Sequence, residues 1–147
     1  MARPGLRACV ERMPSTPPIP VVCAVIEHAG RVLLAQRPAH KHLPLQWEFA
    51  GGKVEPGEAP EAAIVREIRE ELGCDIELVR ALPAFQHDYT TVVIEMIPFV
   101  ARLKPGSPEP VAHAHVALAW VEPKDFEDHA LAPADWPVVA AYRKWPA

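Results

Sequence analysis

Cysteine is scarce in this chain. Cys9, Cys23 and Cys74 are an odd number, and their spacing matches no zinc pattern. They read as buried or incidental thiols in a reducing compartment rather than as a disulfide framework. An excess of positive charge is also missing: 15 Lys and Arg stand against 19 Asp and Glu, a net charge of −4. That argues against tight, non-specific binding to a nucleic acid polymer, which needs a basic surface. It leaves a small nucleotide open, because metal ions can neutralise phosphate against an acidic protein. No apolar run is long enough to span a membrane. The N-terminus has no apolar stretch of the signal-peptide kind. The expectation is a cytoplasmic protein with no membrane partner. There is no internal repeat, and nothing fixes the oligomeric state.

The 147 residues suit one domain with a sizeable core, and the 50% apolar and 23% charged content is ordinary for a globular chain. Residues 1–20 read as a flexible extension, since Pro14, Pro17, Pro18 and Pro20 discourage regular structure. Residues 21–147 then form the single domain. Val21 to Glu27 and Arg31 to Gln36 read as strands joined by a turn at His28-Ala29-Gly30, a hairpin. Pro60 to Leu72 is the clearest helix. Pro60 suits its first position, Glu61 complements its dipole, Ile64, Val65, Ile68 and Leu72 share one side, and Gly73 suits a left-handed terminus. Ile76 to Leu82, Thr91 to Leu103 and Val116 to Val121 read as strands, and Pro137 to Lys144 as a second helix. The order implies an α/β domain with a mixed sheet.

The chemistry concentrates between Gly52 and Cys74. Glu67, Glu70 and Glu71 stand at i, i+3 and i+4, so their carboxylates share one helix face. Like charges at that spacing repel, and a hard divalent cation removes the penalty. Magnesium prefers oxygen ligands, typically a few carboxylates plus substrate phosphates. A solvated acidic face is the plainer alternative. The surroundings favour the metal platform: Gly51-Gly52 permits close backbone approach, Arg66 lies beside Glu67 and one turn before Glu70, and Glu58 stands where it could hold the loop.

With these residues in register, the segment resembles the Nudix box. Gly52, Glu58, Arg66, Glu67, Ile68, Glu70, Glu71 and Gly73 fit its pattern, and Cys74 replaces the usual final aliphatic residue. The resemblance implies an α/β/α sandwich with a mixed sheet. It implies that the Gly52 carbonyl and Glu67, Glu70 and Glu71 bind Mg2+, with Mn2+ as a possible substitute. It makes Glu67 the candidate to activate water, with Glu70 and Arg66 in the catalytic group, Arg66 orienting the glutamates, and Glu58 holding the loop.

The likeness extends over roughly Val21 to Tyr142. Leu33 to Arg37, Trp47 to Gly52 and Leu131 to Pro137 resemble the MutT-like branch, in particular its CTP pyrophosphohydrolases and 8-oxo-dGTP diphosphatases. This implies a small nucleotide partner, a nucleoside triphosphate cleaved to a monophosphate and pyrophosphate. One departure stands out. Ala114, flanked by His113 and His115, occupies the place where such relatives often carry another metal-associated glutamate. Either a histidine or a water compensates there, or both histidines sit idle in an exposed loop.

Substrate-binding candidates are Arg37, Phe49, Tyr89 and Asp135. Arg37 matches phosphate geometry better than Gln36. Trp47 and Phe49 could line a pocket or belong to the core, and the same choice applies to Phe85 and Tyr89. Asp135 could read donors on a base edge or cap the final helix. His87 is expected at the surface. Two functions compete with the triphosphate reading: hydrolysis of another nucleoside diphosphate derivative, such as a nucleotide sugar or dinucleoside polyphosphate, and a non-catalytic nucleotide sensor. The intact Glu67, Glu70 and Glu71 argue against the sensor.

Overall fold

The computed structural model describes residues 17–144. Most of the proposed N-terminal extension, with Cys9, therefore lies outside the described residues. Strand β1 (Ile19–His28) starts two residues earlier than the sequence suggests. Ile19 and Pro20 are held by parallel pairing with Ile94 and Glu95, and the Pro20 carbonyl accepts from the Val54 N–H. A proline can extend this strand because only its missing N–H is lost to the ladder.

The chain continues through β2 (Arg31–Gln36), β3 (Trp47–Glu48), β4 (Gly51–Lys53), helix α1 (Pro60–Leu72), β5 (Ile76–Ala81), β6 (Phe85–Asp88), β7 (Val93–Leu103), β8 (Ala117–Val121) and helix α2 (Trp136–Lys144). Two 3-10 turns, Pro123–Asp128 and Pro133–Asp135, precede α2. The eight strands form one mixed sheet. Its central path runs β3-β2-β1-β7-β5, with β4 pairing β1, β6 pairing β7 and β8 pairing β2. Only the β1–β7 pairing is parallel among these.

Both faces of the sheet are covered, and β1 shows why. Val22 to Ile26 are all buried. Val22, Ala24 and Ile26 face α1 and meet Ile64, Ile68 and Leu72. Cys23 and Val25 face the other way and join Phe126, Val138, Val139 and Tyr142. A strand buried on both sides reads as a continuous apolar run instead of alternating. Each fully buried aliphatic side chain here contributes about 1.5–3 kcal/mol.

The helix α1 forms as its sequence implies, with Pro60 in the first turn and Gly73 left-handed at φ 66°. Its buried stripe includes Ala63, while Val65 is only half-buried. The hairpin turn has positive φ at both Ala29 (52°) and Gly30 (78°), which matches the twist of the flanking strands.

Several boundaries move. Thr91 is not in a strand, because Phe85–Asp88 pairs with β7 and the chain must reverse between them. The turn uses a left-handed Thr90 (φ 79°), whose N–H donates to Asp88 Oδ1 at 2.7 Å. The four-residue β6 is too short to show a period in the sequence. Leu82 and Val116 fall just outside their strands, and Trp136 joins the last helix.

Candidate active site

The loop from β4 into α1 is organised by one guanidinium. Arg66 Nε and Nη2 donate to Glu58 Oε2 and Oε1 at 2.8 and 2.9 Å. Nη1 donates to Glu67 Oε1 at 2.9 Å and Glu70 Oε1 at 3.1 Å, and Nη2 also reaches the Lys53 carbonyl at 3.1 Å. The planar fork of arginine suits this bidentate task. Glu58 in turn accepts from the Glu55 N–H at 3.0 Å, closing the turn before the helix. The Arg66 hydrogen bonds, reinforced by the Glu55 amide, hold the Glu58 carboxyl down to about 2.

Gly52 lies directly against Glu67: a Cβ at this position would sit 1.9 Å from Glu67 Oε2. Any side chain here would push the carboxylate away. Glu71 differs from its neighbours. Its Oε1 is buried and has no hydrogen-bond partner. Burial raises its carboxyl to about 7, with Glu67 and Glu48 pushing the same way and His115 opposing them. Among the described residues, no three His, Cys, Asp or Glu side chains converge as a closed metal cage. Glu67 and Glu70 are instead drawn onto Arg66. Magnesium often takes only one or two protein carboxylates, the rest being water and phosphate oxygens. An unpaired buried carboxylate oxygen beside the Gly52–Glu67 contact fits that kind of site.

The platform opens into a cavity of about 430 Å3. Gly52 and Glu71 line it together with Arg37, Glu48, Tyr89 and Asp135. Asp135 arrives there because the preceding segment docks on β3: Trp47 N–H donates to the Ala130 carbonyl and Ala132 N–H to the Trp47 carbonyl, both at 2.8 Å. Asp135 is 4% exposed. Burial pushes its carboxyl well up and Glu48 adds to this, while the Phe49 backbone amide and Arg37 oppose. Tyr89 is half-buried, and its ring is flanked by His87 at 4.4 Å and His42 at 5.9 Å between centroids.

Some expected residues take other roles. Phe49 borders the cavity, but its ring is core, 3% exposed and edge-to-face with Phe126 at 5.9 Å. Trp47 packs on His129 and Phe85 against the core, so neither lines the cavity. Gln36 donates to the Leu45 carbonyl at 3.0 Å and is engaged in the loop. His87 is half-buried against Tyr89 rather than at the open surface. His115 is not idle in an exposed loop. Its side chain is 3% exposed, and its Nε2 lies 2.8 Å from Glu48 Oε2. His113 and Ala114, which precede it, are exposed. Glu48 itself was not singled out in the sequence. The available signal was an acid embedded in the apolar run Trp47 to Ala50, an unusual place for a surface charge.

Residues 16–142 match the model of the NUDIX domain. The chain belongs to the Nudix family. It is 41% identical over 124 residues to the CTP pyrophosphohydrolase of Escherichia coli strain K12, covering 84% of this chain and 90% of that protein. The solution structure of the E. coli ORF135 protein matches with a TM-score of 0.77 at 39% identity, covering 88% of this chain and 91% of that one. A crystal structure of a MutT NUDIX hydrolase from Burkholderia pseudomallei matches at 0.71 and 28% identity, over 86% and 98% of the two chains. The mixed sheet between helices is thus the Nudix-type α/β fold, and the chain is a Nudix hydrolase. Nudix hydrolases generally need divalent metal ions.

Proposed function

We propose that this Nudix hydrolase converts a nucleoside triphosphate, with a pyrimidine or oxidised purine base, to the nucleoside monophosphate and pyrophosphate, using Mg2+ for which Mn2+ can substitute. The observation that carries this reading is continuity. One cavity is lined by Gly52 and Glu71 of the acidic platform and also by Arg37, Tyr89 and Asp135. A nucleotide seated there can place phosphates at the carboxylates and its base by the aromatic and acidic residues.

In this reading Glu67, Glu70, Glu71 and the Gly52 carbonyl hold the cation. When bound, it supplies neutralisation of phosphate charge and a lowered pKa for water. Arg66 fixes Glu67 through Oε1, while Oε2 faces Gly52. Glu67 is therefore the candidate to take the proton of the attacking water at Oε2, and its restricted geometry favours in-line approach. Glu58 keeps Arg66 in place. Arg37 offers a guanidinium to phosphate or sugar oxygens, and Asp135 reads the base edge. Phosphorus NMR of a reaction with CTP and Mg2+ tests the bond choice. The expected products are CMP and pyrophosphate. Stepwise release of orthophosphate contradicts the proposal, as does an absence of turnover with CTP and 8-oxo-dGTP alike.

A further inference from the structure

Glu48 is gripped at both carboxylate oxygens. Arg37 Nη1 donates to Oε1 at 3.0 Å, and His115 Nε2 lies 2.8 Å from Oε2. Arg37 is itself anchored, its Nε donating to the His42 carbonyl at 2.7 Å. Arg37 and Glu48 line the cavity, and His115 stands behind them.

The backbone explains how His115 gets there. Val111 N–H donates to the Leu72 carbonyl at 2.8 Å and His113 N–H to the Glu71 carbonyl at 3.2 Å. Val116 N–H donates to the Gln36 carbonyl at 3.0 Å. The segment 111–116 is thus tied at one end to the last turn of α1 and at the other to the end of β2. Between these ties His115 is turned inward, while His113, Ala114 and Val116 remain exposed. Burying an imidazole is unfavourable unless its polar atoms are used. One nitrogen is used on Glu48, and Nδ1 is buried with no protein partner. Packing alone does not account for a polar ring at this place.

We propose that His115 is a positioning residue, which fixes Glu48 and through it the Arg37 guanidinium in the wall of the nucleotide cavity. The inference rests on the nucleotide-hydrolase reading above. A carboxylate held at both oxygens cannot rotate, so Arg37 is presented in one place before the ligand arrives. Such preorganisation lowers the ordering cost of binding. His115 makes no hydrogen bond in the Arg66 network, and its influence on Glu71 is electrostatic, so the larger effect falls on the cavity wall.

The test uses His115→Ala, His115→Gln and His115→Asn in the full chain. Gln keeps an N–H donor of the reach needed for Glu48, and Asn is a methylene shorter. In His115→Ala and His115→Asn the Kd of a non-hydrolysable CTP analogue is expected to rise about tenfold, and His115→Gln recovers most of it. Mn2+ affinity of the nucleotide-free protein changes by less than the nucleotide Kd does. In a Glu48→Gln background His115→Ala adds no further loss. Without any nucleotide, the NMR cross-peak of the Arg37 Nε–H shifts in the Ala and Asn variants and returns in Gln. If His115→Ala fails to fold, the Gln and Asn pair carries the comparison. Unchanged nucleotide Kd and an unmoved Arg37 signal overturn the proposal. So does a loss of Mn2+ affinity with nucleotide binding intact, which would place His115 in service of the platform. If the parent protein neither binds nor cleaves nucleotides, the hydrolase reading fails, and the Arg37 signal still decides whether His115 positions that side chain.

Discussion

The bonds that order the Arg66 network of the acidic platform come from residues 53–70, whereas the cavity wall gathers Arg37, Glu48, His115 and Asp135 from four separated segments. The platform is built by one helix, one turn and one guanidinium. The wall requires β3 to dock on the Ala130–Ala132 segment and the 111–116 segment to bridge α1 and β2. In the proposed function the platform serves the chemistry common to any diphosphate substrate, and the wall selects which substrate is held. A change in one region should therefore alter kinetics in a different way from a change in the other.

The largest expected effect is at the platform. Glu71→Gln keeps the shape of the side chain but replaces the buried carboxylate with a neutral amide. Turnover with Mg2+ should fall by about 10^3 for every nucleotide alike, since a metal ligand carries several kcal/mol of transition-state stabilisation. Circular dichroism should show the fold retained. Near-normal kcat in the folded variant would remove Glu71 from the metal site.

At the wall the effect should be smaller and selective. Asp135→Ala should lower kcat/KM of the preferred substrate by roughly 1–3 kcal/mol in transition-state terms and reorder CTP, dCTP and 8-oxo-dGTP. If Asp135 only caps α2, the variant loses about 1 kcal/mol of stability and keeps its substrate ranking. A competition assay across these nucleotides separates the two.

The smallest effect is a pH dependence at the support of the platform. The folded-state pKa of Glu58 is lowered to about 2 from an ordinary 4.5. A lowered carboxylate pKa stabilises the fold above the unfolded value, and that contribution is lost as pH falls through the folded one. Glu58→Gln should therefore lower Tm most above pH 4.5, and the gap to the parent should close as pH falls toward 2. A gap that stays constant with pH would show that the Arg66–Glu58 pair contributes nothing through charge.

The same contrast between local and assembled structure decides what the sequence reveals. The i, i+3, i+4 glutamates, Pro60, Gly73 and Arg66 all express themselves within one helix and its entry loop, and each stands where its spacing implies. The strands of the hairpin and the continuous apolar run of β1 are legible for the same reason. The pairing of His115 with Glu48 is not, because it spans 67 positions of sequence and no local pattern joins the two. The short β6 is hidden because four residues carry too little alternation. Phe49 is ambiguous in sequence because an aromatic beside a glycine pair serves a core or a pocket equally well, and here it borders both.

The division of labour is tested most directly by Mn2+ titration of the nucleotide-free protein, followed by electron paramagnetic resonance, for the parent, Glu71→Gln and Asp135→Ala. The expected result is at least about tenfold weaker binding in Glu71→Gln and parent-like binding in Asp135→Ala. Parent-like binding in Glu71→Gln, or an equal loss in Asp135→Ala, would contradict a cation platform on α1 that is built independently of the cavity wall.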